Sequence, residues 1–146
     1  MEGEIEMPVA GAFIDSDIFI AARNADDKNH KRAVELLTYA LEGRLGDIYT
    51  SDFIFHEAVM AAIALTKNVE YAIDIGEFIM ATRRIRILYT DSKILMDAWK
   101  LFKKYGKQGL TLTDCITIAL MKEHKITRII SFNRKLDVVP WIERIY

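Results

Sequence analysis

Apolar residues fall into two kinds of run along this chain. Short unbroken runs rich in β-branched and aromatic residues, of which Ala12, Phe13 and Ile14 are the first, read as strands covered on both faces; apolar positions three and four apart read as one face of a helix. The spacing predicts a strand over 12–14 and a short helix starting at Asp17. After the polar turn Asn24-Ala-Asp-Asp-Lys-Asn, a helix is predicted over about 31–42, where Ala33, Leu36, Leu37, Ala40 and Leu41 follow the helical rule, with Gly43 and Gly46 ending it. Asp47-Ile-Tyr-Thr-Ser predicts a second strand, Ser51-Asp52 an N-cap, and helices over about 53–66 and 68–83 an antiparallel pair. The alternating Arg84-Ile-Arg-Ile-Leu-Tyr gives a third strand. Thr90-Asp-Ser caps a helix stopping near Tyr105-Gly106, Lys107-Gln-Gly reads as a flexible basic loop, and another helix covers 110–124. Thr127-Arg-Ile-Ile-Ser is a fourth strand, and the stretch from Asp137 ends in an edge strand with Pro140 at its start.

Strands alternating with helices in this order imply an α/β fold: a mostly parallel central sheet of four to five strands flanked by helices, in a single domain over 12–146. Residues 1–11 read as a loose lead-in, with Met7 readable as an alternative start. The 146 residues suffice for a core without disulfide or metal staples. A net charge of -1 removes any overall positive field, so a nucleic-acid partner has to be met by local patches. The single Cys115 has no internal disulfide partner and sits at what reads as a packed helix position, which points to a reducing compartment. The acidic start, Met-Glu-Gly-Glu-Ile-Glu, is unlike a signal peptide, and the apolar run over 58–65 is too short to span a bilayer. The expectation is a soluble, cytoplasmic protein.

Candidate chemistry begins where the first strand ends. Asp15 follows Ile14 directly, at the carboxyl end of a strand, where open α/β sheets bind ligands; Asp15 or Ser16 also suits the N-cap of the next helix. Glu57 lies within or at the edge of the stripe Ile54, Ala58, Ala61, Leu65, so it points inward and needs a partner, whether an arginine or something else. Asp114 pairs with Thr111 in a capping-box spacing, which leaves it free to be both cap and ligand. Asn133 and Asp137 follow the fourth strand, and Asn133 lands beside Asp15 if strands one and four are parallel neighbours. Carboxylates from separate elements sharing one cleft, with Asp17 close by, repel one another unless a cation sits among them, and hard oxygen donors select Mg²⁺ or Mn²⁺. No Cys/His zinc pattern is present: His56-Glu57 lacks the second histidine of a zincin, because position 60 is Met. His30, His56 and His124 read as surface or packing residues.

These segments together resemble a PIN-domain ribonuclease, particularly the short prokaryotic toxins of the virulence-associated-protein-C type. Phe13-Ile-Asp15-Ser-Asp-Ile-Phe-Ile-Ala resembles the opening strand motif, Tyr49-Thr-Ser-Asp-Phe-Ile-Phe-His-Glu57 the second acidic motif, Leu112-Thr-Asp114-Cys-Ile-Thr-Ile-Ala the third and Ile130-Ser-Phe-Asn133-Arg-Lys-Leu-Asp the fourth. No single motif is specific, but four in this order are. The resemblance implies a PIN-like three-layer fold and a metal-dependent endoribonuclease leaving 5′-phosphate and 3′-hydroxyl ends, either a toxin or an RNA-processing enzyme. It assigns Asp15, Glu57 and Asp114 as carboxylates holding one or two Mg²⁺ or Mn²⁺ ions, with Asn133 as a fourth catalytic position. It also implies a homodimer and an antitoxin peptide covering the cleft. Asn133 departs from the pattern, since many members carry Asp there and an amide is a weaker, neutral ligand. Asp17, where many members have Asn, or Asp137 are the residues to compensate.

Two other readings compete. Asp15-Ser-Asp17 after an apolar strand also resembles the nucleophile motif of haloacid-dehalogenase phosphatases, with Ser51 as phosphate ligand, although the fourth strand ends in Ser-Phe-Asn rather than an acidic pair. A PIN-like scaffold that binds RNA or protein without cutting is the second. For RNA contacts the candidates are Lys100, Lys103, Lys104 and Lys107, near the Asp114 helix, and Arg134 and Lys135 beside Asn133. The apolar helix pair over 53–80, with Phe55, Ile79 and Met80 foremost, is expected to form a dimer or antitoxin surface.

Overall fold

The computed structural model describes residues 11–146. The lead-in expected over 1–11 lies outside them apart from Gly11, which is already part of the first strand. Five strands, β1 (Gly11–Ile14), β2 (Asp47–Ser51), β3 (Ile85–Leu88), β4 (Arg128–Ile130) and β5 (Glu143–Ile145), form one sheet in the order β3-β2-β1-β4-β5. Every pairing is parallel. Six helices flank the sheet: α1 (Ser16–Ala22), α2 (His30–Leu41), α3 (Asp52–Thr66), α4 (Val69–Ala81), α5 (Ser92–Tyr105) and α6 (Leu112–Glu123). Pairs α1/α2, α3/α4 and α5/α6 pack side by side.

Burial follows the apolar pattern closely. Phe13, Ile14, Ile48, Ile129 and Ile130 on the three middle strands are fully buried, as parallel strands covered on both faces require. In α6 every residue from Cys115 to Met121 is buried, so this helix is central, and Cys115 is a packing residue as read from sequence. Burial, joined by the charge of Asp114, pushes its thiol up to about 11.

Three local readings change. Lys107-Gln-Gly is not a flexible loop: Gly106–Gln108 form a 3-10 turn that Gly109 closes at φ 98°, a conformation glycine adopts without strain. A second 3-10 turn, Arg134–Val138, follows β4, where the sequence showed no helical period because one turn is too short to carry one. Ile79 is fully buried, because α4 turns its Ile75–Gly76–Ile79 side inward, so it cannot belong to an outer surface; Phe55 is half-buried and Met80 is exposed. No helix among the described residues is long and apolar enough to cross a membrane.

The topology fixes where a site can form. From β1 the chain moves outward through β2 to β3, then crosses back to place β4 on the other side of β1. Helices leaving β1 and entering from β3 therefore part at the β1/β4 boundary, and a crevice opens beyond the carboxyl ends of those two strands.

Candidate active site

Asp15 ends β1 and begins α1. Its backbone N–H donates to Ile130 O at 3.0 Å, continuing the β1/β4 ladder, while its Oδ1 accepts from Ser16 N at 2.8 Å as the N-cap. Its other oxygen, Oδ2, accepts from the Ser131 hydroxyl at 2.7 Å, just past the end of β4. Cap and cleft residue are one side chain. Two residues on, Asp17 reaches across the same boundary: Oδ2 accepts from Phe132 N at 3.0 Å, whereas Oδ1 is buried without a hydrogen-bond partner among the described residues.

Two more carboxylates approach from the flanking helices. Glu57, on the second turn of α3, accepts through Oε1 from the Ser16 hydroxyl at 2.6 Å. Its partner is thus a hydroxyl and not the structural arginine the sequence left open. Asp114 closes a capping box with Thr111: its N–H donates to Thr111 Oγ1 at 3.0 Å and its Oδ2 accepts from Thr111 N at 2.9 Å. Its Oδ1 accepts from Asn133 Nδ2 at 3.4 Å. Asn133 also caps the second 3-10 turn, with Oδ1 accepting from Lys135 N, and its own N–H donates to Ser131 Oγ.

Electrostatics bind these groups into one cluster. Burial, the nearby charge of Asp17 and, more weakly, that of Asp114 raise Asp15 to about 7. Burial, with Glu57 and Asp114 adding repulsion, raises Asp17 to about 6. Among the described residues none of the four carboxylates is in an ion pair. Four acidic groups held together by hydroxyl and amide donors, with one buried oxygen unpartnered, form a concentrated negative site that a cation would relieve.

The donor set suits a hard divalent ion, being all oxygen. No three His, Cys, Asp or Glu side chains among the described residues close around a common point as arranged.

The structure separates the other candidates. Asp137 does not join the cluster: both its oxygens accept from Arg144, at 3.0 and 3.1 Å, and this bonding holds its carboxyl below the ordinary range. Ser51 is a buried N-cap accepting from Ile54 N, so it is no phosphate ligand, and the phosphatase reading loses that support. Lys100 and Lys104 line a groove between α5 and α6 with Lys93, Lys122, Asp97 and Glu123. Lys103 and Lys107 are exposed and do not line it, and Lys135 lies along Gly109, its Cδ 3.0 Å from where a Cβ would stand. Arg134 faces a different cavity. The basic candidates therefore do not form one patch. Ser16 and Ser131 went unrecognised as site residues in the sequence, because a serine orients a carboxylate through a tertiary contact that no period or spacing records.

The sequence model of the PIN domain matches residues 12–142, nearly the whole described chain. The chain belongs to the PIN domain family. Among curated relatives of this PIN domain is a VapC ribonuclease of Archaeoglobus fulgidus, 27% identical over 137 residues that make up 92% of this chain and 84% of that protein. Among solved structures, VapC20 of Mycobacterium tuberculosis, a sarcin-ricin loop cleaving toxin, matches 90% of this chain and 97% of its own with a TM-score of 0.79 at 17% identity. FitAcB of Neisseria gonorrhoeae matches 92% of this chain and 96% of its own with a TM-score of 0.65 at 17% identity. The fold match confirms the three-layer α/β/α arrangement, and membership of the PIN family removes the phosphatase alternative.

Proposed function

We propose that this PIN domain is an endoribonuclease of the VapC kind, the toxin of a toxin–antitoxin pair, acting with Mg²⁺ or Mn²⁺. The observation carrying this reading is the convergence of Asp15, Asp17, Glu57 and Asp114 at the β1/β4 crevice with a buried Asp17 oxygen that has no partner among the described residues. The curated VapC ribonuclease and the structural likeness to VapC toxins support the substrate class and the toxin role.

Asp15, Asp17, Glu57 and Asp114 are the carboxylates from which such an ion would take one or two ligands, with water or substrate oxygens as the rest. Once bound, such an ion lowers the pKa of a coordinated water and offsets charge on the phosphate. The chain's own part is positioning. Ser131 fixes the direction of Asp15, Phe132 N that of Asp17, Ser16 that of Glu57, and the Thr111 box holds one Asp114 oxygen while the other accepts from Asn133. Burial of Asp15 keeps bulk water from screening the cluster.

The experiment is cleavage of single-stranded RNA with Mn²⁺ and with excess chelator, for the native chain and Asp15→Asn, with end-group analysis. Hydrolysis to 5′-phosphate and 3′-hydroxyl ends, lost in chelator and in the variant, is expected. A 2′,3′-cyclic phosphate, or full activity in chelator, rejects the mechanism; RNA bound but never cut assigns a non-cutting module. The antitoxin partner is supported by a solved toxin–antitoxin complex from Klebsiella pneumoniae with the same fold, at a TM-score of 0.60.

A further inference from the structure

Beside the carboxylate cluster lies a cavity of opposite character. It has a volume of about 540 Å³ and is lined by Lys28, Asn29, Arg32, Phe132, Arg134, Arg144 and Tyr146. Four of its seven lining residues are cationic and none is acidic. Lys28 belongs to the polar turn before α2, Arg32 to α2, Arg134 to the turn after β4, and Arg144 to β5, so four separate elements converge on it. The cavity adjoins the acidic cluster through two of its lining residues: the Phe132 N–H holds Asp17, and Arg144 donates to the carbonyl of Ser131, whose hydroxyl holds Asp15.

The cations differ in their freedom. Arg144 is committed, with a side chain only 5% exposed that donates to Asp137 and to Ser131 O while its guanidinium lies 4.1 Å from the centre of the Tyr146 ring. Arg32 donates to Tyr146 O and pairs loosely with Glu35 at 3.5 Å. Lys28 and Arg134 are exposed, and among the described residues neither is in an ion pair. Free cations beside an exposed ring held in place by a guanidinium are the two features single-stranded nucleic acid uses, charge for the phosphate and a flat surface for the base. The volume is that of a small-ligand site, larger than a lone phosphate needs.

We propose that this cavity receives one nucleotide of the RNA strand flanking the cut. Lys28 and Arg134 bind its phosphate, with Arg32 in support, and its base lies against Tyr146 and Phe132. The inference rests on the ribonuclease reading and adds a subsite to it. The strand would pass from the acidic cluster, where its charge needs a cation, straight into a pocket that supplies its own. An acidic protein segment would also be attracted by the charge, but it makes no use of the ring beside it.

The test is binding of a short fluorescein-labelled single-stranded RNA in chelator, read by anisotropy over a range of salt, with Mn²⁺-dependent cleavage measured on the same proteins. The variants are Lys28→Gln/Arg134→Gln, Tyr146→Leu, and Arg83→Gln/Arg86→Gln as a control of equal charge change at β3, the opposite edge of the sheet. Expected are a roughly tenfold or greater loss of affinity for the first, with the salt slope reduced by about 0.7 for each phosphate contact removed; loss without change of slope for Tyr146→Leu; and native binding for the control. In cleavage the loss should appear in KM while kcat is kept. Equal losses in the pocket variant and the control, or no loss in either, would overturn the subsite while leaving the nuclease intact. A native chain that neither binds nor cuts RNA would overturn both readings.

Discussion

At the scale of single residues, the site is governed by carboxylates that destabilise one another. Asp15 sits at about 7 and Asp17 at about 6, against an ordinary 3.8. Between about pH 4 and pH 7 the folded chain therefore holds protons that the unfolded chain has released, so metal-free stability falls as pH rises through that window. Thermal melting in chelator across the range should show this, and Asp15→Asn should flatten the profile and raise the neutral-pH Tm by about 3 °C for each kcal/mol of repulsion relieved, while abolishing cleavage. A large fall in Tm would make Asp15 a structural cap alone. Asn133→Asp acts in the opposite sense: it replaces the amide that donates to Asp114 with a second charge, so the metal-free protein should melt lower and Mn²⁺ should bind more tightly. Metal titrations of melting and of cleavage check both signs; an unchanged metal midpoint would place position 133 outside the site.

At the scale of elements, three of the four carboxylates, Asp15, Asp17 and Asp114, are presented by helix starts, where a negative charge is already favoured. Asp15 caps α1 and Asp114 completes the box on α6, so the local signals that begin these helices also aim their side chains at one crevice. Thr111→Ala removes one acceptor of that box and should cost about 1 kcal/mol in chemical denaturation. The Asp114 carboxylate accepts from the backbone N–H of residue 111, which alanine keeps, so cleavage should fall no further than the lost stability explains. On α4, two adjacent apolar residues should behave differently. Ile79→Ala, fully buried, should cost about 2–4 kcal/mol, whereas Met80→Ala, exposed, should change stability by less than about 0.5 kcal/mol.

For the whole molecule, the order β3-β2-β1-β4-β5 decides which strand ends face each other, and therefore that residues 15–17, 57, 114 and 131–133 meet. The same arrangement leaves Phe53, Met60, Ile73 and Met80 exposed on the α3/α4 pair. Exposed apolar side chains on one helix pair are where the expected homodimer is to be tested. Sedimentation at micromolar concentration should give a dimer that Met80→Asp weakens without loss of fold; a native monomer with no partner recovered would remove the idea.

The sequence by itself determined the elements, because each depends on a local period or cap. Apolar runs made β1 to β4, three-and-four spacing made α2 to α6, and Ser51 and Thr111 capped α3 and α6 where their hydroxyls could accept from the first turn. It also singled out Asp15, Glu57 and Asp114, since a carboxylate inside or at the end of an apolar run is conspicuous. Only the tertiary structure decided their partners. Asp137 went to Arg144 and away from the cluster, Ser16 and Ser131 became the groups that orient Glu57 and Asp15, and Lys28 joined Arg134 across more than a hundred residues of chain. Hydrogen bonds and charge act over a few ångströms in space with no regard to sequence separation, whereas hydrophobic periodicity is written along the chain itself.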